Sequence, residues 1–209
     1  MSDGGTVLLR RSSLGDVVLL GSVTSAVSAP VCVVTHARLV EVARRLRGVD
    51  EVVPWPDAAT ELPAGRLIDL QSNLRSRWLT RGREVSRINK RSVKRRLGLL
   101  LGKSWSRPSV PWIYAEACGV SPQRPPWFDL AQKKQTTLVL CPGAAWPTKQ
   151  WRVEGFVEVG RAWKGPVVVL GGQDEHWLCA AVARQIPSAT VCANKDFAGT
   201  FDVLSRAAV

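Results

Sequence analysis

Thr6-Val7-Leu8-Leu9-Arg10-Arg11-Ser12-Ser13-Leu14-Gly15-Asp16-Val17 is an apolar run, a polar turn and the start of a second apolar stretch. Thr6 to Arg10 reads as a short strand, Leu14 to Ala29 carries apolar residues at helical spacing, and Val31 to Thr35 is another apolar run. This is a β-α-β unit. The pattern then repeats: Arg38 to Arg47 reads as a helix with Leu39, Val42, Ala43 and Leu46 on one face, and Glu51 to Val53 as a strand. Strands that alternate with helices imply a parallel sheet covered on both faces, an α/β fold.

Further along, Arg66 to Leu70 predicts a strand, Asn73 a cap for a helix reaching about Thr80, and Glu84 to Ile88 a weak strand. Ser92 to Leu101 reads as a basic amphipathic helix and Trp112 to Cys118 as another, before the proline-rich Ser121 to Pro126 interrupts regular structure. That break predicts a boundary, with one doubly wound domain over 1–130 and a second over 131–209. In the second, Thr137 to Cys141 and Pro166 to Leu170 read as strands, and Glu154 to Trp163 and Glu175 to Arg184 as helices. These supply two or three β-α units where an open sheet of this class has about five or six strands, so the second domain reads as incomplete.

Composition narrows the class. A hydrophobic share of 45% with 22% charged residues is that of a folded domain. Met1 to Gly5 is short and polar, unlike a secretion signal, and Val17 to Val27 is broken by Gly21, Ser22, Thr24 and Ser25, which makes it a core helix and not a membrane span. Cysteines at 32, 118, 141, 179 and 192 are odd in number and form no C-x-x-C pair, so reduced buried thiols, no metal site and a cytoplasmic location are expected. The net charge of +12 is concentrated between Arg75 and Arg107, where twelve Lys or Arg face one acid, Glu84. A field of that kind favours an anionic partner: nucleic acid, an anionic membrane surface or a phosphorylated substrate.

Ser13-Leu14-Gly15-Asp16 follows a strand and opens a helix, where backbone amides and the positive end of the helix dipole converge. Gly15 lets another molecule approach, and Asp16 lies at the C-terminal edge of the sheet, where a carboxylate can take a proton from a hydroxyl. The same residues also fit an S-x-x-[DE] capping box. Spacing leaves both readings open. His36 is expected to flank a helix start, His176 to lie on a helix surface, and Trp146 and Trp151 to pack.

Four segments together resemble the family 9 glycosyltransferases, the lipopolysaccharide heptosyltransferases. Val7 to Val17 matches the family's opening strand and S-S-[LIM]-G-D-V turn. Asp69-Leu70-Gln71-Ser72-Asn73-Leu74-Arg75-Ser76-Arg77 is similar to its D-L-x-x-N-x-R-S segment. Pro142 to Trp151 resembles G-A-x-x-P-x-K-x-W, and Val167 to Glu175 resembles a further strand and turn. The order is that of the family, and Arg11 departs from it, since an apolar residue is usual there.

The resemblance implies a GT-B arrangement of two Rossmann-like doubly wound parallel-sheet domains. It implies inverting transfer of heptose from ADP-heptose to the anionic inner core of lipopolysaccharide, with no cofactor beyond the donor substrate. Asp16 would be the general base. Thr148 and Lys149 match positions that meet the donor diphosphate, and Glu175 would contact the donor, although Lys149 also reads as a solvated loop lysine and Glu175 as a helix cap. Ser13, Gly15, Arg75, Arg77 and Arg91 would bind the acceptor, guanidinium forks being suited to carboxylates and phosphates. Much of the rest of the basic run would rest on anionic lipid of the inner membrane's cytoplasmic face or, residue by residue, form a plain solvated face, and a monomer is expected.

Phe201 to Val209 falls where the family continues into a strand and a D-S-G-x-x-H segment that helps hold the nucleotide sugar. A C-terminally truncated chain, binding donor weakly and turning over poorly, is therefore expected. The competing reading is a basic module that binds nucleic acid or an anionic membrane surface without catalysis; against nucleic acid, Trp78 and Trp105 flank the basic run without interleaving it.

Overall fold

The computed structural model describes residues 4–56, 61–89, 108–128, 136–144, 146–193 and 196–208. The helix expected over Ser92 to Leu101, and Arg91 before it, lie outside these. The chain divides into two compact units, Met1–Asp129 and Leu130–Val209.

In the first unit, strands β1 (Thr6–Leu9), β2 (Val31–Thr35), β3 (Glu51–Pro54), β4 (Arg66–Asp69) and β5 (Val85–Arg87) form one parallel sheet in the order β3-β2-β1-β4-β5. β1 and β2 are buried along their whole length, which explains their unbroken apolar character. Val7, Leu9, Cys32, Val34 and Leu67 join Leu62 and Leu79 in a core on one face. The alternate residues Leu8, Val33 and Ile68 are fully buried too, as strand alternation requires for the opposite face. The helical elements are α1 (Leu14–Val18), α2 (Gly21–Thr24), α3 (Val40–Arg44), α4 (Leu74–Leu79) and α5 (Val110–Cys118). α5 starts behind Ser109, with Pro111 in its first turn, and stops at Gly119, whose φ of 73° is left-handed.

The chain winds from β1 outward to β3, then jumps back across β1 to β4. Leu9 is level with Asp69, and Asp69 with Arg87. The loops that leave β1 and β4 therefore splay apart at one place, above the C-terminal ends of neighbouring strands. Open α/β sheets bind ligands at such a switch point.

The single helix expected over Leu14 to Ala29 is instead two short ones. After Val18 the backbone bonds tighten, with the amides of Leu20 and Ser22 bonding the carbonyls of Val17 and Leu19 at 3.1 and 3.2 Å. The Ser22 hydroxyl also donates to the Leu19 carbonyl at 2.7 Å. The bend brings Gly21 against Trp127, where a β-carbon would lie 2.2 Å from the Trp127 Cβ.

The second unit holds β6 (Leu138–Leu140), β7 (Val167–Gly171) and β8 (Ala189–Ala193), parallel and in that order. Its helices are α6 (Val153–Ala162), α7 (His176–Ala183) and α8 (Phe197–Ser205). Leu138, Leu140, Val157, Val167, Val169, Cys179, Val182 and Ile186 make its core. After α8 the chain returns to the other side of β6: Thr137 and Ala207 form an isolated parallel bridge, and the Ala208 amide donates to the Thr137 carbonyl at 2.8 Å. β6 is the edge strand of this sheet, and the bridge lies just before its first residue.

Candidate active site

Asp16 sits in the first turn of α1 with its side chain 29% exposed. Its Oδ2 accepts from the Ser13 amide and the Ser13 hydroxyl, both at 3.1 Å. The same oxygen is ion-paired with Nη2 of Arg10. The Ser13 hydroxyl is turned to the carboxylate, so the cap is realised through Asp16 alone. Among the described residues, Oδ1 has no partner. Partial burial pushes the Asp16 carboxyl up, but the Ser13 amide, the Arg10 charge and the side-chain bonds outweigh it and hold the group below the ordinary aspartate value. The group is therefore ionised at neutral pH with one oxygen tethered and the other open. Spacing sets cap against base; here the capping bond engages one oxygen of the carboxylate and leaves the other open.

Ser13 and Gly15 are exposed beside it, and a β-carbon built on Gly15 meets nothing within 4 Å. The floor comes from the β4–α4 loop. Asp69, wholly buried at the end of β4, accepts from the amides of Gln71 and Ser72 at 3.0 and 2.7 Å and from the Ser76 hydroxyl at 2.8 Å. These bonds hold Ser72 at a φ of 44°, in the left-handed region. Gln71 Oε1 then accepts from the amides of Arg11 and Ser12 at 3.1 and 3.3 Å, which ties the two loops together. Asn73 caps α4, its Oδ1 accepting from the Ser76 amide at 2.9 Å. Arg75 and Arg77 on that helix are exposed. The parts played by Asp69 and Gln71 are not evident from the sequence, where the available signal is a carboxylate that ends an apolar strand and precedes a capped helix.

In the second unit, Thr148 and Lys149 lie on an exposed 3-10 turn, Pro147–Lys149, beyond β6. Glu175 lies beyond β7 at the start of α7, its Oε2 accepting from the Gly172 amide at 2.9 Å. A β-carbon on Gly143 would fall 2.0 Å from that carboxylate, so Glu175 reaches across to the loop after β6. The structure thus sets Glu175 against the loop that carries Thr148 and Lys149, at the C-terminal ends of adjacent strands. Trp151 packs edge-on against Phe156, with ring centroids 5.1 Å apart. Trp146 does not pack as expected: it is 65% exposed, on the short turn just before the 3-10 residues.

His36 accepts from the Arg38 amide at 3.3 Å through Nδ1, capping a 3-10 turn, and His176 is exposed on the first turn of α7. Cys32, Cys118 and Cys179 are buried, but Cys141 is exposed at the end of β6, a correction to the expectation of buried thiols throughout. Among the described residues there is no group of three or more metal-ligating side chains, and no helix long and apolar enough to cross a membrane.

Two doubly wound parallel-sheet units define the chain as an α/β protein with the GT-B fold of the family 9 glycosyltransferases. Two of the solved structures that match show the likeness. The glycosyl transferase family 9 protein from Veillonella parvula DSM 2008 matches with a TM-score of 0.66 at 15% identity, over 93% of this chain and 72% of that one. The ADP-heptose LPS heptosyltransferase II of E. coli matches with a TM-score of 0.65 at 16% identity, over 94% of this chain and 75% of that one. No protein-family model and no curated protein matches the sequence.

Proposed function

We propose that the chain is an inverting glycosyltransferase that moves heptose from ADP-heptose to the anionic inner core of lipopolysaccharide, with Asp16 as the base. The observation that carries this reading is the Asp16 carboxylate, ionised, half tethered and half open, at the switch point of the first unit. In the reaction an acceptor hydroxyl attacks the anomeric carbon, its oxygen forming the new glycosidic bond as the bond to ADP breaks. The hydroxyl proton passes to Asp16 Oδ1. An aspartate below its ordinary pKa is a weak base, so its contribution lies in placement and in partial proton transfer at the transition state.

Lys149 and Thr148 would meet the charge that grows on the departing diphosphate, one by a fixed cation and the other by a hydroxyl. Glu175 would hold a donor hydroxyl through Oε1. Ser13, Gly15, Arg75 and Arg77 would take the acceptor, and Arg91 would extend that set. Support for a lipid-facing surface comes from Leu74 and Trp78, 86% and 60% exposed one turn apart on α4, beside the exposed Arg75, Arg77 and Arg81. Apolar side chains set among arginines suit the headgroup layer of an anionic membrane on the cytoplasmic side.

The test is product analysis. With ADP-heptose and a lipopolysaccharide core acceptor, the expected outcome is an acceptor heavier by one heptosyl unit, with stoichiometric ADP and inverted anomeric configuration. Binding of other nucleotide sugars in preference to ADP-heptose, or retained configuration, would contradict it.

A further inference from the structure

Asp16 could swing about its own side chain if Ser13 alone held it. What prevents this is Arg10, the first residue beyond β1, whose side chain is only 12% exposed. Its Nη2 meets Asp16 Oδ2, its Nη1 donates to the Leu70 carbonyl at 2.5 Å, and its guanidinium lies over the Tyr114 ring at 5.8 Å from the centroid. Tyr114, from α5, closes the arrangement by donating its hydroxyl to the Asp16 backbone carbonyl at 3.4 Å. Nε of Arg10 is buried without a partner among the described residues, so the guanidinium is placed for its other contacts at the expense of one donor.

We infer that Arg10 is a positioning residue for Asp16: pinned on Leu70 and Tyr114, it fixes Oδ2 so that Oδ1 is presented to the acceptor hydroxyl. This rests on the reading of Asp16 as the base. The geometry needs an arginine, because two nitrogens of one rigid plane reach different partners while the face of that plane covers a ring; a lysine reaches one of them. The groups that face the carboxylate are Arg10 from the end of β1, Tyr114 from α5 and Ser13 from its own loop. Burial keeps the Tyr114 hydroxyl protonated well above its ordinary range, so Arg10 supplies the facing charge.

Two readouts on the full chain separate this from a structural role. The Asp16 carboxyl titration, followed by carbon NMR, needs no substrate; kcat and KM for ADP release need the reaction. In Arg10→Met the Asp16 titration should move up in pH, and in Arg10→Lys it should stay low while kcat falls about 100-fold with KM nearly unchanged, as for a displaced catalytic group. An Asp16 titration that is the same in Arg10→Met as in the wild type overturns the inference, as does full kcat in Arg10→Lys. Should Arg10→Met not fold, Arg10→Lys alone decides, by the same kcat criterion. Sugar transfer that survives Asp16→Asn, with the titration still shifted by Arg10→Met, would remove the base and leave the Arg10–Asp16 contact standing.

Discussion

Asp69 and Asp16 are both carboxylates at strand-to-helix junctions, and they differ in what surrounds them. Asp69 is wholly buried, accepts three hydrogen bonds and has Nε of Arg87 at 3.6 Å, so every direction around it is taken. Asp69→Ala would strand buried donors and should cost about 3 kcal/mol in urea unfolding, with the loop at Ser72 the first part to lose order. Asp16 keeps an open oxygen. Its depressed pKa has a definite sign for stability: the contribution of the ionised form is complete above the ordinary aspartate value of about 3.9 and is lost as pH falls through the lower folded value. The stability gap between wild type and Asp16→Asn should therefore be constant above about pH 5 and narrow in stronger acid. A gap that instead widens with acidity would mean that the carboxyl is raised on folding.

The thiols follow the same logic of surroundings. Burial, with the Glu51 charge added, pushes Cys32 up to about 11, and burial pushes Cys118 up to about 12 despite Arg66. Both stay protonated at neutral pH. A thiol reagent should label Cys141 first and reach Cys32 and Cys118 only on unfolding; early labelling of Cys118 would contradict the packing of α5.

At the scale of elements, β1, β2 and β4 were legible because a strand buried on both faces leaves a continuous apolar run. The helix after β1 was legible in place but not in shape. Its apolar spacing persists through Val23, whereas the bend depends on Ser22 bonding backward and on Trp127 arriving from more than a hundred residues away, and neither is a periodic signal. Gly21→Ala tests this: with a β-carbon 2.2 Å from Trp127 it should cost about 1–3 kcal/mol, read as a lower midpoint of thermal unfolding. β8 was missed for the opposite reason. Thr190 and Val191 are exposed on it, so the segment Ala189–Ala193 has neither a buried run nor a clean alternation. In the site, the motif placed Asp16, yet Arg10 passed as one of two arginines ending a strand; only the fold brings Leu70 and Tyr114 to it.

Over the whole molecule, the two units repeat one device. In each, loops at the C-terminal ends of adjacent parallel strands carry the residues of interest: Asp16 and Gln71 after β1 and β4 in the first, Lys149 and Glu175 after β6 and β7 in the second. The surplus of positive charge between Arg75 and Arg107 belongs to this scale, since its effect is a field and not a contact. Binding to vesicles that contain anionic lipid should weaken steeply with salt, and Leu74→Ser with Trp78→Ser should weaken it further at fixed salt. Equal binding to neutral vesicles would refute a charged lipid surface as the partner.

Transfer of heptose from ADP-heptose by the wild-type chain and by Asp16→Asn, under one set of conditions, decides whether this carboxylate takes the acceptor's proton. The expected result is a folded variant with unchanged donor affinity and a rate lower by about 100-fold or more. A folded Asp16→Asn that transfers at close to the wild-type rate would contradict it and leave Asp16 as the cap of α1.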